Sequence, residues 1–425
     1  MLFKNGKNFK NLKIELFKDN KKCSFFKILE KKDRSFTFNI NLDGQTHSGA
    51  GIRGDDAVWL PVGESGFKIF SDNDKYDSLE SCNDMLSLVA DKNPNIFPDL
   101  NWHETKKYRG NQFTIVNMEN VSGKTKYKVS ANERFLPPRD REFANKFLQT
   151  EQYNAEYCVK QFYKYNLNPE DEWYKPINMI DGKIVDFHRF KVYPQRYKFP
   201  SNGKTPVELK QIYDKMVKRY LNVLDAHGMP KWKGRIYQGF EFDNGYNMEG
   251  YSSDGSMYDS YKKLPFIPWN KVKDKSVLDI GSNQGFFSFQ AAIHGASRVT
   301  GIELQKEDFL AANDLKNLMG FNNVEFLNTD AIRHLKETDE CYGLIIANSI
   351  LHQVYRNLEG ADPILDIISN KCEYFAFETP ANHTTMRISL AEIYTKLTRH
   401  FKTVRLLYVY DAYSSGYRAN FICYS

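Results

Sequence analysis

Residues 277–292, VLDIGSNQGFFSFQAA, constrain this chain more than any other stretch. An apolar run that ends in Asp279 reads as a buried strand. The loop Gly281-Ser282-Asn283-Gln284-Gly285 breaks it, and Phe286 and Phe287 open an apolar helix. Open α/β sheets use this order of strand, glycine turn and helix to bring a ligand up to a helix N-terminus. Gly281 permits the sharp turn and Gly285 the close approach. Two glycines in a loop leave the ligand open, and the residues beyond the loop must decide it.

From here to residue 425, strand-like and helix-like runs alternate at α/β spacing. SRVTGIEL ends a second strand at Glu303, an acidic residue suited to a pair of ribose hydroxyls. NVEFLNTDAI places Asp330 and Ala331 after a third, and YGLIIANSILHQV carries a fourth into Asn348, Ser349 and His352. CEYFAFET, VRLLYVYDAY and FICYS read as later strands. Two nucleoside cofactors compete. A dinucleotide asks for G-x-G-x-x-G, and this loop lacks the middle glycine and sets bulky Phe286 where small residues pack. An aspartate just ahead of the first glycine suits a cofactor that bears an amino acid.

With those motifs in order, residues 235–425 resemble the class I S-adenosylmethionine-dependent methyltransferases. The resemblance implies a Rossmann-like α/β domain. Asp279, Gly281, Ser282, Gly285 and Phe286 would cradle the methionine part of the cofactor. Glu303 would bind the ribose, Asp330 and Ala331 the adenine, and Asn348 would line the methyl donor. His352 is placed as a general base near neutral pH or as a histidine bonding the loop. Glu378, in FAFETPANHTT with Asn382 and His383, is expected to shape the acceptor pocket, and His352 and Glu378 stand as the catalytic candidates.

At 425 residues the chain is long for one core, and its 41% hydrophobic content supports two. No apolar run reaches membrane length and the start has no apolar leader, so no membrane span and a cytoplasmic setting are expected. Six cysteines without a CxxC pair argue against a disulfide framework or a structural metal site. A net charge of +6 permits a nucleic-acid partner without demanding one, and the lysines near the start read as a solvated face on short strands.

The first half opens with β-type runs, among them LKIELF, CSFFKIL and SFTFNINL, followed by Gly49-Ala50-Gly51-Ile52-Arg53-Gly54 and the hairpin AVWLPVGESGFKIF. Lys68 interrupts an apolar strand, and Glu80 opens a helical stretch able to face it. Glu119 follows another strand, and the Asp181-Gly182 turn leaves Asn178 and Asp186 at opposite ends of a hairpin. A lysine, its carboxylate partner and hard oxygen ligands are what ATP with Mg²⁺ needs.

Residues 45–225 therefore resemble the protein-kinase-like fold, an α+β domain. On that resemblance Lys68 is the strand lysine, Glu80 its helix partner, Glu119 part of the hinge, Asn178 the catalytic-loop asparagine and Asp186 the metal-binding aspartate. Trp173 stands where the family has its catalytic-base aspartate, with Asp171 and Glu172 beside it, so a pseudokinase-like binding module is the alternative. The expected organisation is a β-rich extension at 1–44, a kinase-like domain at 45–230, an aromatic and glycine-rich linker or lid at 231–270, and the methyltransferase domain at 271–425.

The pairing of a kinase-like half with this methyltransferase style is similar to bifunctional kinase-methyltransferases that cap polysaccharides, in the reverse order. It implies a small-molecule, glycan or phosphorylated acceptor. The stretch PWNKVKDKSVLDIGSNQGFFSF is also similar to tRNA wobble-uridine transferases, which leaves tRNA as an alternative partner. A non-catalytic binding protein that keeps the fold is the third possibility.

Overall fold

The computed structural model describes residues 13–19, 21–23, 28, 35–42, 45–53, 57–71, 97–98, 100–108, 111–121, 138–147, 167–169, 179–180, 183–184, 190–192, 198–221, 235–251, 259–381, 387–412 and 416–425. The chain divides into two compact units: Met1–Thr125 with Lys175–Val192, and Lys126–Tyr174 with Tyr193–Ser425.

The first unit is built on an antiparallel sheet. Its strands are β1 (Lys13–Lys18), β2 (Lys21–Cys23), β3 (Ser35–Leu42), β4 (Gln45–Arg53), β5 (Ala57–Val62), β6 (Ser65–Ser71), β7 (Leu100–Tyr108) and β8 (Asn111–Glu119). They lie in the order β2-β1-β3-β4-β5-β6-β8-β7. Alternation in SFTFNINL buries Phe36, Phe38 and Ile40 on one face, where they join Leu60, Phe67 and Ile69 in a core. Gly49 and Gly51 lie inside β4. Gly51 and Gly49 sit opposite Phe36 and Phe38 in register. A Cβ on Gly51 would come within 2.0 Å of the Phe36 ring, so these glycines make room for aromatic rings rather than for a phosphate. Because β3 and β4 form one hairpin across residues 43–44, the domain boundary expected there falls inside a single sheet.

The first unit also holds the short hairpin β10 (Met179–Ile180) and β11 (Lys183–Ile184), whose turn residues Asp181 and Gly182 lie outside the described residues, and β12 (Phe190–Val192). The second unit begins its strands with β9 (Leu167–Pro169).

A small hairpin of β13 (Phe240–Glu241) and β14 (Asn247–Met248) precedes the main sheet of the second unit. That sheet comprises β15 (Ser276–Ile280), β16 (Arg298–Ile302), β17 (Val324–Leu327), β18 (Tyr342–Asn348), β19 (Cys372–Ala381), β20 (Thr403–Ala412) and β21 (Gly416–Tyr424), in the order β17-β16-β15-β18-β19-β21-β20. The first five run parallel, while β21 inserts antiparallel beside β19 and pairs with β20. Parallel strands buried on both faces must be apolar throughout. Val277, Leu344 and Ile346 enter one core together with Phe286 and Phe289, and Leu278, Ile280, Ile345 and Ala347 enter the other with Ile364 and Ile393.

Helical residues expected to complete a kinase-like domain belong to this second unit. Leu209 and Met216 of the helix Pro206–Leu221 are buried in the core that holds Phe286. On the other face Ala144 of the helix Pro138–Phe147 is buried, Phe143 meets Tyr394 edge-on at 5.5 Å, and Tyr417 Oη donates to the buried Asp140 carboxylate. The expected linker is likewise core: Ile236, Phe240, Phe242, Met248, Tyr261 and Trp269 are all buried. Among its described aromatics Phe240, Phe242, Tyr261 and Trp269 are buried, while Tyr251 is 41% exposed.

Candidate functional site

In this sheet the direction of strand addition reverses between β15 and β18, because the chain moves outward to β16 and β17 and then returns to the other side of β15. Ligands of open α/β sheets bind at such a switch point, beyond the carboxyl ends of the strands. The residues expected to form the cofactor site gather here.

Asp279 lies one residue from the end of β15 and is 2% exposed. Burial pushes its carboxyl up to about 7, although Ser288 Oγ donates to Oδ2 at 2.7 Å and opposes the shift. The loop after it turns through left-handed backbone at Gly281 (φ +68°), Asn283 (φ +51°) and Gly285 (φ +87°). Gly285 caps the helix Phe286–Ile293, and a Cβ there would come 2.5 Å from the Phe326 ring. At Gly281 a Cβ would meet Ile350 at 2.7 Å, so the loop lies directly against the segment after β18.

Glu303 follows β16 and is 8% exposed. Its two oxygens accept the backbone N–H groups of Asn283 (2.9 Å) and Gln305 (2.8 Å), which fixes the carboxylate beside the glycine loop. Asp330 caps the helix Ala331–Glu337 by accepting the Arg333 N–H at 2.8 Å, so its acidic character also has a local purpose. Leu304, between the two, is 63% exposed, a large apolar surface that no sequence motif singles out.

Asn348 closes β18, level with Glu378 of β19. Ser282 Oγ, Asn283 Oδ1 and Asn348 Nδ2 are buried and have no hydrogen-bond partner among the described residues. Native interiors rarely leave such atoms unsatisfied, and these three stand in the loop after β15 and at the end of the neighbouring β18. His352, in the short helix Leu351–Val354, is half-buried.

Glu378 is wholly buried and held by groups that the sequence motifs do not include. Lys263 Nζ lies 2.8 Å from Oε2, while Arg418 Nη1 at 3.0 Å and Ser349 Oγ at 2.5 Å donate to Oε1. Arg418 also donates to Ser349, a residue in left-handed backbone at φ +59°. Burial pushes the Glu378 carboxyl up, but the Lys263 ammonium and the Arg418 guanidinium outweigh it and hold the group down at about 2. A carboxylate that acidic and that fully engaged is a poor proton acceptor. The expectation of a catalytic Glu378 is therefore replaced by that of an anchor for Lys263, Arg418 and Ser349. Nothing in YKKLPF or SGYRANF distinguishes these cations from surface charges; only the sheet register and the covering helix Ser260–Lys263 bring them together.

In the first unit Lys68 lies on β6, between β5 and β8, and is 6% exposed. It is thus on an interior strand and not at an edge. Glu119 ends β8 and forms an ion pair with Lys183. Glu80, Asn178 and Asp186, together with Asp171, Glu172, Trp173, Asn382 and His383, lie outside the described residues. Among the described residues, no helix is long and apolar enough to cross a membrane.

Over 77 residues the chain is 38% identical to the ribosomal protein L11 methyltransferase of Lactobacillus johnsonii and 39% identical to that of Lactobacillus gasseri. Each match spans 18% of this chain and 24% of the relative, so the chain covers about a quarter of the length of these proteins. Among solved structures, the bifunctional kinase-methyltransferase WbdD is similar at 20% identity over 35% of this chain and 34% of that one, with a TM-score of 0.30. SMU.776 complexed with SAH is similar at 16% identity over 45% and 54%, with a TM-score of 0.33. Residues 271–396 match the family model described as a methyltransferase domain.

Proposed function

We propose that the second unit transfers the methyl group of S-adenosylmethionine to an acceptor bound at the carboxyl end of its sheet. The observation that carries this is the trio of unpartnered buried atoms, Ser282 Oγ, Asn283 Oδ1 and Asn348 Nδ2, set among the strand-end carboxylates Asp279 and Glu303. A cofactor with an ammonium, a ribose diol and an amino-acid carboxylate offers partners to each of them. A diphosphate fits less well: the Phe286 N–H already donates to Gln238 Oε1 at 3.3 Å, the Asn283 N–H to Glu303, and buried Asp279 would repel it.

In this reading Asp279 takes the ammonium, Glu303 the ribose hydroxyls, and the edge formed by Leu304, Asp330 and Ala331 the adenine. When bound, the cofactor supplies an already activated methyl group on a sulfonium. The residues contribute position, since an in-line displacement gains most from holding the reacting atoms in contact. Asn348 orients the donor. His352 takes the proton of a hydroxyl or amine acceptor and has nothing to remove from an anionic one. Lys263, Arg418 and Ser349, fixed by Glu378, set the acceptor rim; two cations against one carboxylate favour a small-molecule, glycan or phosphorylated acceptor with anionic character. Titration calorimetry with S-adenosylmethionine tests the cofactor assignment: binding that Asp279→Ala weakens about 100-fold supports it, and no binding by the intact protein defeats it. Labelled cofactor offered with cell-extract fractions, with and without ATP, identifies the acceptor by the fraction that takes label.

A second reading concerns the first unit. Burial of Lys68 on an interior strand fits a lysine kept for a nucleotide phosphate, as the kinase-like resemblance implies. ATP with Mg²⁺ then raises the unfolding temperature and Lys68→Ala removes the shift; no shift with the unaltered protein rules the reading out.

A further inference from the structure

Gln284 and Gln238 form a clasp across two segments distant in sequence. Gln284, in the glycine loop, is wholly buried, and its side-chain oxygen accepts the backbone N–H groups of both Tyr237 (3.0 Å) and Gln238 (3.1 Å). Its amide nitrogen donates to Asp308 Oδ1 at 2.6 Å, on the helix Lys306–Met319. Gln238, 5% exposed, returns the contact by accepting the Phe286 N–H at the start of the loop's own helix. Two side-chain amides thus satisfy three backbone donors and tie the loop to residues 235–251. Those residues lie outside the 271–396 stretch that matches the methyltransferase domain.

The strap itself is close-packed. Gly250 passes so near Gly239 that a Cβ would sit 2.2 Å from the Gly239 nitrogen, and Ile236 pairs with Gly250. Phe240 packs against Phe286 at 5.8 Å and Phe289 at 6.3 Å, on the helix that the loop begins. A side chain whose amide serves three partners at once holds its backbone to a single geometry, because loss of any one contact leaves a buried donor or acceptor unmet. The backbone so held is the left-handed 281–285 loop, where Asn283 lacks the conformational freedom of glycine.

We infer that Gln284 and Gln238 are positioning residues for the methyl donor, and that residues 235–251 are part of the cofactor site. The inference rests on the cofactor assignment under Proposed function. Neither glutamine touches the donor; each acts through the loop, which presents Ser282 and Asn283 to it.

The test uses the full chain and S-adenosylhomocysteine. First, the unaltered protein is titrated: absence of binding overturns the cofactor assignment and this inference with it. Given binding, Gln284→Ala and Gln238→Ala should each weaken affinity about tenfold when titrated well below their unfolding midpoints, which themselves fall because buried donors are left unmet, and the double variant should lose less than the product of the two. Unchanged affinity in both variants overturns the inference while leaving the cofactor assignment intact. Should a variant fail to fold, hydrogen exchange on the unaltered protein decides. Amides in 235–251 are expected to slow together with those in 281–289 when S-adenosylhomocysteine is added. Slowing confined to 281–289 would show that the strap takes no part.

Discussion

Two buried carboxylates stand at the carboxyl ends of parallel strands in one sheet, and their chemistry is opposite. Asp279, on β15, has burial against it and Ser288 as a donor, and its carboxyl is pushed up to about 7. Glu378, on β19, is buried as completely, yet two cations and a hydroxyl hold it down at about 2. Burial by itself does not determine the charge of an acid; its partners do. Glu378 is already satisfied and acts as structure. In the proposed function, the cationic part of the ligand is what pairs with Asp279.

Stability should break the symmetry most sharply. Glu378→Gln leaves Lys263 and Arg418 buried without their counter-charge, and about 3–5 kcal/mol should be lost at neutral pH, read from the denaturant midpoint. Asp279→Ala should cost cofactor affinity instead. A loss of about 100-fold, roughly 3 kcal/mol, is expected by calorimetry, with the unfolding midpoint unchanged or higher. If Asp279→Ala proved as destabilising as Glu378→Gln, the contrast would collapse.

Acidity sharpens it further. The cofactor ammonium favours the ionised form of Asp279, so affinity should tighten by up to about tenfold per pH unit as pH rises toward 7 and level off above it. In Asp279→Asn the profile should be flat through that range. Stability has the reverse sign. A carboxyl raised from 3.8 to about 7 on folding contributes stability that is full below about 4 and lost as pH rises through 7. Above pH 7, Asp279→Asn should therefore raise the unfolding temperature of the ligand-free protein while binding the cofactor more weakly. Glu378 contributes stability that is full above about 4.5 and is lost only as pH falls toward 2. The smallest effect belongs to Ser349→Ala, at about 1 kcal/mol, because Arg418 keeps its contact with Glu378 when the hydroxyl goes.

The Asp279 side of the comparison is legible in the sequence and the Glu378 side is not. Asp279, Gly281, Gly285, Glu303 and Asn348 are fixed by local rules, a strand end or a turn, and local rules can be read along a chain. Lys263 and Arg418 meet Glu378 only because β21 inserts antiparallel beside β19 and a short helix covers the row, and no spacing in the sequence carries that information. The strand runs of the first unit are readable for the same reason as Asp279, since SFTFNINL and AVWLPV alternate. Its boundary is not, because pairing of β3 with β4 is a property of the sheet. The segment 235–251 reads as a linker through its glycines and tyrosines, composition that here reflects a backbone folded tightly against itself and against aromatic rings.

That tight fold at Gly239 and Gly250 has a use beyond this molecule. With no space for even a methyl group at 250, the strap can exist only where glycine stands at that position. A chain with glutamines corresponding to 238 and 284 but a larger residue corresponding to 250 would have to hold its loop by other means. Glycine corresponding to 250 is then a necessary mark of a chain that folds this strap in the same way.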